Sequence, residues 1–214
     1  MGNKTSSIFI KLDNPSDYDI RQMAEKLYPG YKSIRQQEPW QSKFRHQIGI
    51  IKHVDGIEIE DWANCSAIIE EQNTNSIQKI YNYFDKPVII VAYLSIDFNG
   101  ACGIAIIENG ELTRCRYYIP EEDNIRSDDI GQHLSVENEC YDKLRDNPNF
   151  DFDKRMISNL LWPSNEMVQH HYVDNSLICA LMNELLGFDL WTTKERIPYQ
   201  IELDQSIWKY VSKE

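Results

Sequence analysis

The chain has 214 residues, 42% of them apolar, with 12 Tyr, 7 Phe and 5 Trp. A chain of this size and composition builds a core without disulfide or metal staples, which excludes a disordered protein and a disulfide-framed miniature. Its net charge of -12 makes a surface that repels nucleic-acid phosphates and anionic lipid, so no nucleic-acid partner is expected.

The charge is unevenly placed. Residues 1–60 hold 9 Lys/Arg against 8 Asp/Glu, and residues 61–214 hold 13 against 26. The acidic remainder is either a solubility device or one face of a complex with a basic partner.

Residues 7–12 alternate and predict a strand. Asp13-Asn14-Pro15 turns the chain, and Ser16 is placed to cap a helix with Asp17 and Asp19 in its first turn. Ile20, Met23, Ala24, Leu27 and Tyr28 make one helical stripe, which Pro29-Gly30 ends. Residues 31–47 show no period, and Trp40 and Phe44 are assigned to a satellite core. Two short strands, 48–54 and 57–62, flank Asp55-Gly56, a type I′ hairpin signal. On the second, Ile57, Ile59 and Asp61 share one face, with Glu58, Glu60 and Trp62 on the other. Asn73-Thr74-Asn75 opens a helix whose stripe is Ile77, Ile80, Tyr81 and Phe84; Asp85-Lys86-Pro87 closes it.

Residues 87–119 are the most apolar and β-branched stretch and read as a three-stranded meander at the centre of a sheet. The run 88–94 is continuously apolar and predicts a strand buried on both faces. Asn109-Gly110 is the clearest turn. On the strand that follows, Leu112, Arg114, Arg116 and Tyr118 share one face. Residues 120–155 hold 11 Asp/Glu against 5 Lys/Arg and read as an acidic surface excursion with a short helix near 136–144. A helix or helix pair over 165–186, broken near Asp174-Asn175-Ser176 and ended by Gly187, precedes a last strand at 199–203. The expected fold is one α+β domain over 1–214. Its mixed or mainly antiparallel sheet is centred on 88–119, with helices 16–28, 74–84 and 165–186 packed on it.

Five cysteines (65, 102, 115, 140 and 179) are odd in number and contain no CxxC pair. No leader and no span of about 18 apolar residues is present, so a cytoplasmic location with buried thiols is expected. His170 and His171 are adjacent and diverge on a helix, and His46, His53 and His133 are scattered, so no metal is expected. The phosphate-loop and dinucleotide fingerprints are absent, so no other cofactor is expected either.

Cys102 lies in Asn99-Gly100-Ala101-Cys102-Gly103. Either its glycines expose a thiol for activation by a partner such as His133, or they shape a tight link and the thiol packs inward. Arg114 and Arg116 either clamp an anion or pair with the surplus carboxylates. Glu121, Glu122, Asp123, Asp128 and Asp129, with the acidic residues of 58–71, are the candidate contacts for a basic protein. Met1 to Ser6 fits the myristoylation pattern at Gly2, the one route to a membrane partner.

A strand followed by Ser95-x-Asp97-x-x-Gly100, Gly103, a second strand, Asn109-Gly110, Leu112 and Arg114 resembles a pattern in small bacterial cytoplasmic immunity proteins. These protect a cell from a polymorphic or contact-delivered toxin. The ending Glu184-Leu185-Leu186-Gly187-Phe188-Asp189-Leu190 is similar to their closing helix. The resemblance implies a non-enzymatic protein that binds and blocks one cognate toxin. It carries over no catalytic residue and does not say which surface binds. Joined to the acidic charge, it makes a basic, nuclease-type toxin the expected partner. Two alternatives stand: a small cytoplasmic enzyme with a site near Asp97, Cys102 and His133, and an N-myristoylated, membrane-associated protein.

Overall fold

The computed structural model describes residues 4–36, 47–87, 89–96, 101–120, 125–145, 150–151, 156–157, 160–161 and 199–203. In chain order these form β1 (Lys4–Lys11), a 3-10 turn (Pro15–Asp17), α1 (Ile20–Leu27), β2 (Tyr31–Gln36), β3 (Gln47–His53) and β4 (Gly56–Glu60). Next come α2 (Trp62–Glu70), α3 (Thr74–Tyr83), β5 (Ile89–Ile96), β6 (Ala101–Glu108), β7 (Glu111–Pro120), β8 (Ile125–Ile130) and α4 (Ser135–Arg145). The last are three two-residue strands, β9 (Phe150–Asp151), β10 (Met156–Ile157) and β11 (Leu160–Leu161), and β12 (Tyr199–Leu203).

Among the described residues nine strands make one sheet in the order β2-β12-β3-β4-β1-β5-β6-β7-β8, and β9, β10 and β11 make a small second one. Every pairing is antiparallel. The apolar meander lies inside the sheet, and β1 takes the middle place. From Ile90 to Leu94 no residue of β5 is more than 1% exposed, as its unbroken apolar run requires.

Alternation assigns each strand's side chains to one of two faces. The first carries Ile8 and Ile10, Ile50, Ile57 and Ile59, Ile90, Ala92 and Leu94, Ala105 and Ile107. Met23, Ala24 and Leu27 of α1, Cys65, Ile68 and Ile69 of α2, and Ile77 and Ile80 of α3 close over it. The second face is also buried, through Phe9, Val91, Tyr93, Ile104, Ile106 and Tyr118, but it also carries charges. Ser7, Glu58, Arg114 and Arg116 are all within 1% of full burial there.

Small residues let α2 sit close to the sheet. A Cβ on Gly103 would lie 2.7 Å from Ile69 Cγ2 and 3.0 Å from Tyr117 Cβ. The thiol of Cys65 donates to the Tyr93 carbonyl at 3.0 Å, and that of Cys115 to the Ile69 carbonyl at 3.3 Å. Gly103→Ala is expected to destabilise the protein by about 1–3 kcal/mol through overpacking, read as a lower urea midpoint. An unchanged midpoint would mean that the helix can lift off the sheet without loss.

Several local expectations shift. Asp19, not Ser16, caps α1: its side chain accepts the Gln22 N–H at 2.9 Å, and Pro15–Asp17 forms the 3-10 turn before it. The first hairpin turns at Val54-Asp55, with His53 opposite Gly56, so Gly56 belongs to β4. Neither turn residue has the positive φ of a type I′ turn; the Asp55 carbonyl accepts from the Leu12 N–H at 3.1 Å. The second hairpin is the expected one, with φ of 52° at Asn109 and 84° at Gly110. Residues 31–36, which show no period, are β2, and residues 62–70, read as a strand end and an acidic patch, are α2. The stretch 120–155 is not all excursion, because 125–130 extends the main sheet as β8 and 135–145 is α4. The expected strand at 199–203 is β12. Trp40, Phe44, the helices of 165–186 with their break and Gly187, and the closing 184–190 stretch lie outside the described residues.

Candidate functional site

The densest polar cluster lies on the second face, where β7 meets α4. A bulge places it there. Leu112 pairs with Ile107, but Arg114 pairs with Ile106, so Thr113 is an extra residue on β7. Leu112 is thereby turned to the helix-covered face, away from Arg114, Arg116 and Tyr118 with which simple alternation grouped it.

Glu137 enters from the first turn of α4 with no exposed surface. Its Oε2 accepts from Arg114 Nε at 3.0 Å, and its Oε1 from Arg114 Nη2 at 2.7 Å and Arg116 Nη1 at 2.8 Å. The Arg114 contact is a two-pronged fork, the strong form of an Arg–carboxylate pair. Arg114 Nη1 also donates to the Asp129 carboxylate and, at 2.8 Å, to the Ile130 carbonyl. Glu137 Oε2 reaches back to the Leu134 N–H at 3.4 Å, so this carboxylate also ties down the start of its own helix. Burial raises the Glu137 pKa, but hydrogen bonds and charge from both arginines outweigh that and lower it to about 2. Burial lowers the Arg114 pKa, and its bonds to Glu137 and Asp129 more than reverse this. Of the two expectations for the arginine pair, the carboxylate pairing is the one the structure shows.

A second cluster lies toward β4. Glu58 accepts from Ser7 Oγ at 2.9 Å and lies 3.1 Å from His53 Nε2. A third joins two helices. Asp61 caps α2 by accepting the Asn64 N–H at 3.1 Å, and its Oδ2 accepts from Tyr28 Oη at 2.7 Å. Burial, then the Asp61 charge, pushes the Tyr28 hydroxyl well above its usual pKa.

Of the five candidate acidic contacts, Glu121, Glu122 and Asp123 lie outside the described residues, as does Gly2. Asp128 and Asp129 are neighbours on β8 but point to opposite faces. Asp128 is exposed on the α2 side, where its Oδ2 accepts from Gln72 at 3.2 Å. Asp129 faces the other way, and its charge is engaged by Arg114. Cys102 has no exposed surface and sits opposite Ser95 and Tyr118 in the ladder. His133 lies beyond β8, exposed, with Nε2 3.5 Å from Asp129 Oδ2. A thiol so placed cannot reach a dissolved substrate without the sheet opening. Asp97 lies outside the described residues.

Sequence reasoning passed over Glu58, Asp61 and Glu137 as structural groups. Asp61 carried a signal: Cys65, Ile68 and Ile69 follow it at helical spacing. Among the described residues no three His, Cys, Asp or Glu side chains are placed to hold a metal ion. No helix among them is long and apolar enough to cross a membrane.

Compared with known proteins, the chain matches no family model, no curated protein and no solved structure.

Proposed function

We propose that the protein is a non-enzymatic binding protein of the immunity or inhibitor type. In this reading it acts in the cytoplasm and blocks a basic, nuclease-type toxin through the acidic surface on and around β8. The supporting observation is how the carboxylates divide. Glu58, Asp61 and Glu137 are buried and bind the fold together. Asp128 on β8, Glu71 after α2 and Glu139 on α4 are exposed to a partner. Opposite charge steers encounter, and carboxylates at the rim of a contact act chiefly on the association rate.

Expression of the reading frame immediately upstream, with and without this chain, tests the reading. Protection from that product and a purified complex are expected. Absence of both protection and a complex would overturn it. Within the surface, Asp128→Asn is expected to slow association at low salt and leave the thermal midpoint unchanged. Asp129→Asn is expected to lower the midpoint slightly, since that carboxylate holds Arg114. Equal effects of the two on both readouts would contradict the assignment of these neighbours.

A further inference from the structure

We infer that β8 is a docking edge, which takes up an extended segment of a basic partner as a further strand of the sheet. This rests on the reading of the protein as an acidic binding module and names how that surface engages. Among the described residues β8 ends the strand order, and its residues from Arg126 to Asp129 are all exposed. The edge is nevertheless held in place from both faces. Arg126 Nη2 donates to Glu70 Oε2 at 2.7 Å and Gln72 Nε2 to Asp128 on the α2 side, while Arg114 grips Asp129 from the other. An edge already fixed in strand geometry loses little conformational freedom when a second strand is added.

The sequence Ile-Arg-Ser-Asp-Asp-Ile contains neither Pro nor Lys, the residues that most often block an open edge. Its Asp129 N–H is occupied locally, by Asp128 Oδ1 at 2.9 Å, a bond that an incoming carbonyl can replace. Charge therefore decides what can pair. A strand carrying Lys or Arg opposite Asp128 sets a cation against that exposed carboxylate, on the face where Arg126 is already paired with Glu70. A second copy of the chain brings the same carboxylates and a net charge of -12, so the occupant is a cationic segment of another protein.

Two synthetic peptides test this on the full chain. One alternates Lys and Thr over about ten residues. The other is identical but N-methylated at every second amide, which keeps its charge and removes its pairing edge. Titrated into isotope-labelled protein, the first is expected to shift the signals of residues 126–130 and slow amide exchange along β8. The methylated peptide is expected to bind about ten-fold more weakly or worse, as the loss of two or more main-chain hydrogen bonds requires. Equal binding of both would overturn strand addition while leaving the acidic-surface reading in place. Binding of neither would overturn it as well, and the toxin reading then fails only if protection by the whole chain also fails.

Discussion

Glu137→Ala is expected to destabilise the protein by about 3–5 kcal/mol, the usual consequence of removing one partner from a buried ion cluster. For a chain of this length that lowers Tm by roughly 6–20 °C. Two guanidinium groups, each 1% exposed, would lose their shared carboxylate, and the first turn of α4 would lose the group that reaches its Leu134 N–H. The cost is one of stranded charge. Replacing Arg114 and Arg116 by Met together with Glu137→Leu is therefore expected to recover most of the loss. The pH dependence has a fixed sign. The Glu137 pKa falls on folding from 4.5 to about 2, so its contribution is complete above about pH 5 and disappears as pH falls through 2. The shift corresponds to on the order of 3 kcal/mol at neutral pH. Urea midpoints from pH 7 to pH 2 should fall in the wild type and fall less in the triple variant. Parallel curves, or a Glu137→Ala loss below about 1 kcal/mol, would show that the cluster does not hold α4 to the sheet.

Asp61→Ala is expected to cost about 2–4 kcal/mol. It removes the cap of α2, worth about 1 kcal/mol, and leaves the buried Tyr28 hydroxyl without its acceptor, at about 1–3 kcal/mol. Both losses fall on the join between the end of α1 and the start of α2. Lys79 of α3 holds the same end of α1 by donating to the Leu27 carbonyl at 2.5 Å. Asp61→Asn keeps an acceptor and is expected to retain most of the stability. A double-mutant cycle with Tyr28→Phe should give a coupling of about 1 kcal/mol or more. Additive effects would mean that the Tyr28–Asp61 hydrogen bond contributes nothing to stability.

These two residues also show where the sequence was readable. The stripes of α1 and α3, the unbroken apolar run of β5 and the Asn109-Gly110 turn are local signals, and each gave its element. The need of Arg114 and Arg116 for carboxylates followed from composition, but not which ones. Glu137 is one of 11 Asp/Glu in residues 120–155, and only the register of β7 brings it to the pair. That register depends on the Thr113 bulge, which adds a residue without any turn signature and reverses the face of Leu112. The start of α2 was hidden because Ile57, Ile59 and Asp61 continue the alternation of a strand up to the capping residue itself. β8 was hidden because an exposed edge strand needs little apolar sequence. Its Arg126-Ser127-Asp128-Asp129 is that of a solvated loop until β7 pairs with it. The strand that composition did not reveal is the one the proposed function uses.

The most direct test of that function is the rate at which the chain associates with the purified product of the upstream reading frame, measured by stopped flow across a range of salt. Association is expected to be fast at low salt and to fall steeply as salt rises, slower for Asp128→Asn with dissociation little changed. A rate indifferent to salt and to Asp128→Asn, or no complex at all, would contradict the proposed function.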